Sequence, residues 1–294
     1  MTYHELKSSL ASLYPQGEAA ALARIVMEER FGLSQTDLLL GKDSQLSAED
    51  RDELTQIAVR LLKNEPLQYV LGYADFCGMR LRVAPGCLIP RPETAELIRA
   101  IEQFFISHPT LASPTGTPTS TLPVCRALDI GTGSGCIALS LAQKGWQVEA
   151  WDVSQEALAI ARLNAAEHAL HINFQICDIL AEQNADSILA DCSLVVSNPP
   201  YVRQSEAAEM HRNVLDYEPH LALFVPDRDP LIFYRAIAAY ASRRLQPGGL
   251  LAFEINQYLA EETAELVRLS GFTQVCLFDD AFGAPRILLA IQPA

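Results

Sequence analysis

Ala127-Leu128-Asp129-Ile130-Gly131-Thr132-Gly133-Ser134-Gly135 runs directly into the helical spacing of Ile137, Ala138 and Leu141. A short apolar strand, a glycine loop and a helix make the βα turn of nucleotide-binding sheets, where glycines let the backbone approach a ligand. The spacing is G-x-G-x-G, not the G-x-G-x-x-G of dinucleotide binders. The second strand ends at Trp151-Asp152, and Asp152 stands 21 residues after Gly131, where an acid can accept hydrogen bonds from both hydroxyls of a ribose. A third strand is expected to end at Asp178. A fourth, Leu194 to Val196, stops at Ser197-Asn198-Pro199-Pro200-Tyr201. Strand ends in this order predict an open α/β sheet that binds its ligand at the carboxyl edge.

The fourth strand end carries the chemistry. Two consecutive prolines have no N–H with which to continue a ladder, so Asn198 sits on a rigid turn. Its side-chain carbonyl and the carbonyls of the Pro199-Pro200 turn offer acceptors to a planar –NH2 group, and Tyr201 adds a flat face. A planar nitrogen has a delocalised lone pair and is a poor nucleophile. Holding both of its N–H bonds aims that lone pair at an electrophile. Asn-Pro also begins ordinary turns; the ordered set of strand ends favours the chemical reading.

Asp152 suits a ribose, while Asp178 and Ile179 suit the edge and face of an adenine. There is no P-loop lysine and no basic cradle, which weighs against a triphosphate. S-adenosylmethionine fits better, because its cationic sulfonium tolerates acidic and uncharged walls.

Composition agrees. The 294 residues hold 22 basic and 36 acidic side chains, a net charge of −14. Residues 1–75 carry 7 basic and 12 acidic groups and the remainder 15 and 24, so neither part offers a basic footprint for nucleic acid. The seven cysteines contain no C-x-x-C pair and read as small buried thiols in a reducing compartment. No metal site is expected. No apolar run approaches the ~20 residues that span a bilayer, and no leader opens the chain, so a cytoplasmic protein with no membrane partner, acting as a monomer, is expected.

Residues 1–75 read as a helical bundle. Leu6, Leu10, Leu13 and Tyr14 share one face, and Leu22, Ile25 and Val26 another. Ser47 with Asp50 forms a capping box ahead of Leu54, Ile57, Ala58, Leu61 and Leu62. Such a bundle either packs and does nothing more or docks a partner. Residues 76–92 are expected to be a β-hairpin linker, Phe76 to Val83 against Cys87 to Ile89 around a Pro85-Gly86 turn. It leads into Ile89-Pro90-Arg91-Pro92-Glu93-Thr94, whose prolines aim Arg91 and Glu93; Glu93 also complements a helix dipole. Residues 93–294 form the catalytic domain. Within it, a helix ends near Ser107 and a Pro/Ser/Thr-rich exposed loop covers 108–123. Asp229-Pro230 caps a helix through Tyr240. Gln246 to Gly249 turn into a strand over 250–255, a helix covers 259–269, and Val275 to Phe278 pairs antiparallel with Ile287 to Ile291.

These motifs together resemble the bacterial release-factor glutamine methyltransferases, the PrmC/HemK family. The resemblance rests on the helical N-domain, Pro-Arg-Pro-Glu-Thr, Asp-Ile-Gly-Thr-Gly-Ser-Gly, Asn164-Ala165, Ser-Asn-Pro-Pro-Tyr and Tyr217-Glu218-Pro219, and covers nearly the whole chain. It implies a class I S-adenosylmethionine-dependent, Rossmann-like sheet behind a small helical domain that docks the release factor. It implies that Gly131, Thr132, Gly133, Ser134, Gly135 and Asp152 hold the cofactor. It also implies that Asn198 and the Pro199 carbonyl bind the glutamine amide of a Gly-Gly-Gln loop. Two positions depart from the family pattern: Ala95 replaces the usual acid after Pro-Arg-Pro-Glu-Thr, and Ile179 replaces a frequent aromatic. Asn-Pro-Pro-Tyr is shared with adenine-N6 methyltransferases of DNA and RNA, so that activity, and a non-catalytic cofactor-binding docking protein, remain as alternatives.

Overall fold

The computed structural model describes residues 1–108, 125–181 and 192–293. The loop expected over 108–123 therefore lies, beyond His108, outside the described residues. In chain order come helices α1 (Tyr3–Leu10), α2 (Gln16–Phe31), α3 (Gln35–Leu39), α4 (Ala48–Leu62) and α5 (Leu67–Leu71), then strands β1 (Tyr73–Phe76) and β2 (Met79–Arg82). Next are α6 (Pro92–Ser107), β3 (Arg126–Ile130), α7 (Cys136–Gln143), β4 (Gln147–Asp152), α8 (Gln155–Glu167), β5 (Ile172–Ile176) and β6 (Cys192–Ser197). The chain closes with β7 (Val202–Arg203), α9 (Arg212–Tyr217), β8 (Phe224–Val225), α10 (Ile232–Arg244), β9 (Leu245–Glu254), α11 (Ala260–Leu269), β10 (Thr273–Asp279) and β11 (Pro285–Ile291). None of the described helices is long and apolar enough to cross a membrane.

The chain divides into two compact units, Met1–Tyr73 with Met210–Tyr217, and Ala74–Glu209 with Glu218–Ala294. In the helical unit, Leu6, Leu10, Met27, Leu54 and Leu61 are fully buried in one core. Burying each such side chain contributes about 1.5–3 kcal/mol. Capping boxes start three helices, Thr2 with Glu5, Ser34 with Asp37, and the expected Ser47 with Asp50. Leu13 does not join the Leu6–Leu10 face, because α1 stops at Leu10 and leaves Leu13 in the following turn, 46% exposed. Tyr14 returns to the core edge, its hydroxyl donating to the Leu61 carbonyl at 2.9 Å.

The second unit is built on a seven-stranded sheet in the order β10-β11-β9-β6-β3-β4-β5. Strands β9, β6, β3, β4 and β5 run parallel, and β11 and β10 are added antiparallel. Both faces are covered, so β6 is apolar on consecutive residues. Val195 packs with Tyr234 and Ile237 of α10, while Leu194 and Val196 pack with Leu97 of α6 and Ile137 of α7. Chain order reverses between β3 and β6, and the carboxyl ends there open a crevice.

Four expectations are corrected. The linker hairpin is β1 against β2, turning at Cys77-Gly78, both with positive φ (47° and 78°) as a type I′ turn needs; Cys87 to Ile89 is not a strand. The third strand stops at Ile176, and Asp178 lies in the loop beyond it, accepting from the Leu180 amide at 2.9 Å. Asp229 does not cap α10, which begins at Ile232 with no side-chain cap; its carboxylate holds Arg235 through two 2.9 Å bonds. Gln246 to Gly249 does not precede β9 but bulges within it: Cys192 and Leu194 of β6 face Leu245 and Leu250.

Candidate active site

The crevice holds a cavity of about 370 Å³ lined wholly by residues of the sheet unit. Gly131, Thr132, Gly133 and Ser134 form one wall and Asp152 the next. Asp178 and Ile179 stand beyond, and Asn198, Pro199 and Pro200 lie opposite with Arg91. The structure thus gathers most of the residues expected from sequence. It does not bring in Gly135, Glu93 or Tyr201.

Each glycine of the loop has positive φ, 76° at Gly131, 56° at Gly133 and 82° at Gly135. A Cβ on Gly131 or Gly133 would meet nothing within 4 Å, whereas one on Gly135 would lie 2.5 Å from Leu139 Cδ1 and 3.2 Å from Ala161 Cβ. Gly135 is therefore a packing glycine, and the first two keep the cavity wall bare. The amides of Gly131 and Thr132 donate to the Trp151 carbonyl at 2.8 and 2.9 Å. Gly133 N–H donates to Asp152 Oδ2 at 2.8 Å. Engaged in this way, these N–H groups do not make a phosphate cradle.

Asp152 Oδ1 accepts from Ser154 N–H at 2.8 Å, so both oxygens are aimed and each keeps acceptor capacity for a hydroxyl. Burial pushes its pKa up, against the pull of these backbone donors. Asn164, fully buried, clamps the loop from behind: its Nδ2 donates to the Ser134 carbonyl at 2.9 Å and to the Arg82 carbonyl at 3.1 Å, and its Oδ1 accepts from Arg82 N–H at 2.7 Å.

At the end of β6, Ser197 Oγ donates to the Ile130 carbonyl at 2.6 Å, tying the two strand ends that flank the crevice. Asn198 Nδ2 donates to Thr94 Oγ1 at 3.1 Å. Tyr201 does not offer its ring to the cavity. The ring packs into the core between the sheet and α10, and its hydroxyl donates to Glu254 Oε1 at 3.0 Å; burial and the neighbouring Glu254 push the phenol pKa up. Arg91 pairs with the buried Glu218 at 2.6 Å, and the other Glu218 oxygen accepts from Ile89 N–H at 3.1 Å. Arg91 is the cation among the lining residues, and it is neutralised, while Asp152, Glu156 and Asp178 are acids. An apolar cavity with acidic walls, no phosphate cradle and a ribose-ready carboxylate fits S-adenosylmethionine. Among the described residues no group of His, Cys, Asp and Glu could hold a metal ion.

Sequence reading missed Thr94, Glu254 and the pairing of Glu218. A signal existed for Glu254: an acid after the apolar run Leu250 to Phe253, at the carboxyl end of a strand in the same sheet.

Sheet order, glycine loop and acidic second strand define a class I S-adenosylmethionine-dependent methyltransferase fold. Among solved structures, a Thermus thermophilus 16S rRNA N2 G1207 methyltransferase shares that fold, with a TM-score of 0.52 at 20% identity over 75% of this chain and 49% of that one. Residues 3–72 match the model described as PrmC N-terminal domain, and residues 118–217 that described as Methyltransferase small domain. The chain is 45% identical over 287 residues to the release factor glutamine methyltransferase of Bacteroides thetaiotaomicron, covering 97% of each. It is 40% identical to that of Flavobacterium psychrophilum, over 95% of this chain and 94% of the relative. It belongs to the release factor glutamine methyltransferase family.

Proposed function

We infer that this enzyme transfers a methyl group from S-adenosylmethionine to the side-chain N5 of the glutamine in the Gly-Gly-Gln motif of peptide chain release factors. What carries the reading, in a chain of this family, is the rigid turn at the end of β6. There Asn198 has its amide nitrogen engaged by Thr94, which leaves its carbonyl oxygen as an acceptor at the cavity wall.

When bound, the cofactor supplies an electrophilic methyl on a sulfonium. Asp152 would accept hydrogen bonds from its ribose, Asp178 would meet the adenine edge and Ile179 would cover the adenine face. Asn198 Oδ1 and the Pro199 carbonyl accept the two N–H bonds of the glutamine amide, and Pro200 keeps the turn rigid. Held in this way, the nitrogen lone pair is aimed for in-line attack, and restricted orientation lowers the barrier. The amide proton leaves during or after transfer, without a strong general base. Arg91 orders the turn beside the substrate through Glu218. The helical unit, expected over residues 1–75, docks the release factor. The reaction is proposed to take place in the cytoplasm, a setting that suits seven cysteines present as free thiols.

The test uses methyl-labelled cofactor with three acceptors: intact release factor, the factor with its motif glutamine replaced by alanine, and duplex DNA. Label is expected in the intact factor alone. Label in DNA would replace this reading with adenine-N6 methylation, and label in none would leave a cofactor-binding docking protein.

A further inference from the structure

Glu254 closes β9 and is buried, 1% exposed, yet it lines no part of the cavity. Its Oε2 accepts from Thr94 Oγ1 at 2.6 Å and its Oε1 from the Tyr201 hydroxyl at 3.0 Å. Thr94, 2% exposed at the start of α6, stands between Glu254 and Asn198. Three strand or helix ends thus meet in one chain of hydrogen bonds: β9 through Glu254, α6 through Thr94, and β6 through Asn198. Arg286 and Tyr234 also face this acid. Arg286 is engaged with Asp280 at 3.4 Å, and the Tyr234 hydroxyl donates to the Glu254 backbone carbonyl at 3.1 Å.

We propose that Glu254 and Thr94 form a hydrogen-bond relay that fixes which end of the Asn198 amide faces the methyl acceptor, making both positioning residues for the reaction. The inference rests on the role given to Asn198 above and extends it to residues that do not hold the substrate nitrogen.

A threonine hydroxyl has a single proton and two lone pairs. Ionised, Glu254 only accepts, so at 2.6 Å the Thr94 proton points to it. Toward Asn198, Thr94 then has only a lone pair to present, and the amide must turn its –NH2 to Thr94. The carbonyl is thereby left for the substrate. Without the relay the amide can flip, and a flipped amide presents donors to a substrate that is itself a donor. The second carboxylate oxygen is held by Tyr201, which keeps the acid from rotating. Tyr201 of Asn-Pro-Pro-Tyr thus acts through Glu254, as a brace on the relay.

Glu254→Gln breaks this proton order without changing size. Its –NH2 can donate to Thr94 while its carbonyl accepts from Tyr201, which releases the Thr94 proton toward Asn198 and favours the flipped amide.

The test uses the full-length protein carrying Thr94→Val, Thr94→Ser or Glu254→Gln, each alone and combined with Asn198→Ala. Turnover on intact release factor, cofactor Kd, melting temperature and solvent exchange of the Asn198 side-chain amide in 15N spectra are measured. Thr94→Val keeps the shape and removes the acceptor. It is expected to lower kcat about tenfold or more, the scale of one orienting hydrogen bond, with cofactor Kd unchanged and amide protection lost. Thr94→Ser keeps the hydroxyl and gives up a methyl; it is expected to recover most of the loss and the protection. In the Asn198→Ala background Thr94→Val and Glu254→Gln are expected to add nothing further, as coupled residues do. A purely structural role predicts the reverse order, with serine worse than valine. That order, parental turnover in Thr94→Val, or undiminished losses beside Asn198→Ala would each overturn the relay. Should Glu254→Gln fail to fold, the valine–serine pair still decides. If the parental enzyme leaves the factor unmethylated, the proposed function falls, and the exchange of the Asn198 amide still decides the relay.

Discussion

Asp129 is the acid of Asp-Ile-Gly, fully buried, with Oδ2 accepting from Thr132 Oγ1 at 2.7 Å and from the Ala138 amide at 3.1 Å. Burial pushes its carboxyl up to about 7, against the pull of these two donors. Between the ordinary carboxylate range and that value the native protein holds a proton that the unfolded chain has released. The native state then binds more protons, and stability falls as pH rises through the window. Asp152 and Glu254 are shifted in the same direction by burial. Melting temperature is therefore expected to decline from about pH 4 to about pH 7, and the decline to be shallower in Asp129→Asn, as calorimetry across that range would register. Equal slopes would remove Asp129 as a cause. At the same scale, Asn198→Ala is expected to keep cofactor affinity and lose at least about 90% of turnover, since orientation of the nitrogen is what it contributes. Unchanged turnover at equal Kd would take the amide out of the reaction. Asp152 and Asn198 were legible in the sequence because each closes an apolar strand with a polar group. Thr94 was not, because its partners Glu254 and Asn198 stand 160 and 104 residues away in the chain.

The βα turn shows how neighbouring glycines of one loop differ. Alanine at Gly133 must adopt φ of 56° but meets open space, a penalty of about 1–2 kcal/mol. Alanine at Gly135 adds a clash with the Leu139 side-chain tip, which must turn within a filled core, and crowds Ala161 of α8 by a few tenths of an ångström. Gly133→Ala is thus expected to remain folded with cofactor affinity reduced at the crowded wall. Gly135→Ala is expected to lose the larger share of its melting temperature, by an added overpacking cost of about 1–3 kcal/mol. Thermal melts alongside titration calorimetry separate the two, and equal melting temperatures would contradict the assignment of Gly135 to packing. Strong local periodicity made α4, α6, β4 and the β10–β11 pair readable. The hairpin was misread because Cys77-Gly78 is a quiet turn inside alternating apolar residues, while Pro85-Gly86 announces a turn and marks only a loop.

For the whole molecule, the separation of a helical unit from the sheet unit was legible in the change of period from 3.6 to 2. The return of residues 210–217 to the helical unit was not. Helix α9 is 6 residues long with none buried, so it carries no apolar pattern. The docking proposed for the helical unit would draw binding energy from contacts outside the Gly-Gly-Gln motif, realised only with an intact factor. A short Gly-Gly-Gln peptide is expected to show kcat/KM lower by about 100-fold or more than the intact factor, on the scale of a few interface hot spots. The exposed pair Leu39 and Leu40, 81% and 69% accessible, is where an apolar contact would be felt. Replacing both with glutamate is expected to weaken use of the intact factor and leave the peptide rate unchanged. Equal losses on both acceptors would point to a stabilising bundle instead.

The excursion at 210–217 also bears on how the protein is made. The core of the helical unit draws on residues no later than Val70, so it can collapse as soon as that stretch leaves the ribosome. Tyr217, whose hydroxyl donates to the Lys63 carbonyl at 2.7 Å, is translated about 150 residues later, roughly 8–30 s at ordinary elongation rates. For that interval the nascent bundle is a finished core with one flank waiting, and its last helix arrives only after β3 to β6 have been synthesised. A pulse of protease on stalled chains should therefore find the bundle resistant early, and the Lys63 region gaining protection only once residue 217 has cleared the exit tunnel.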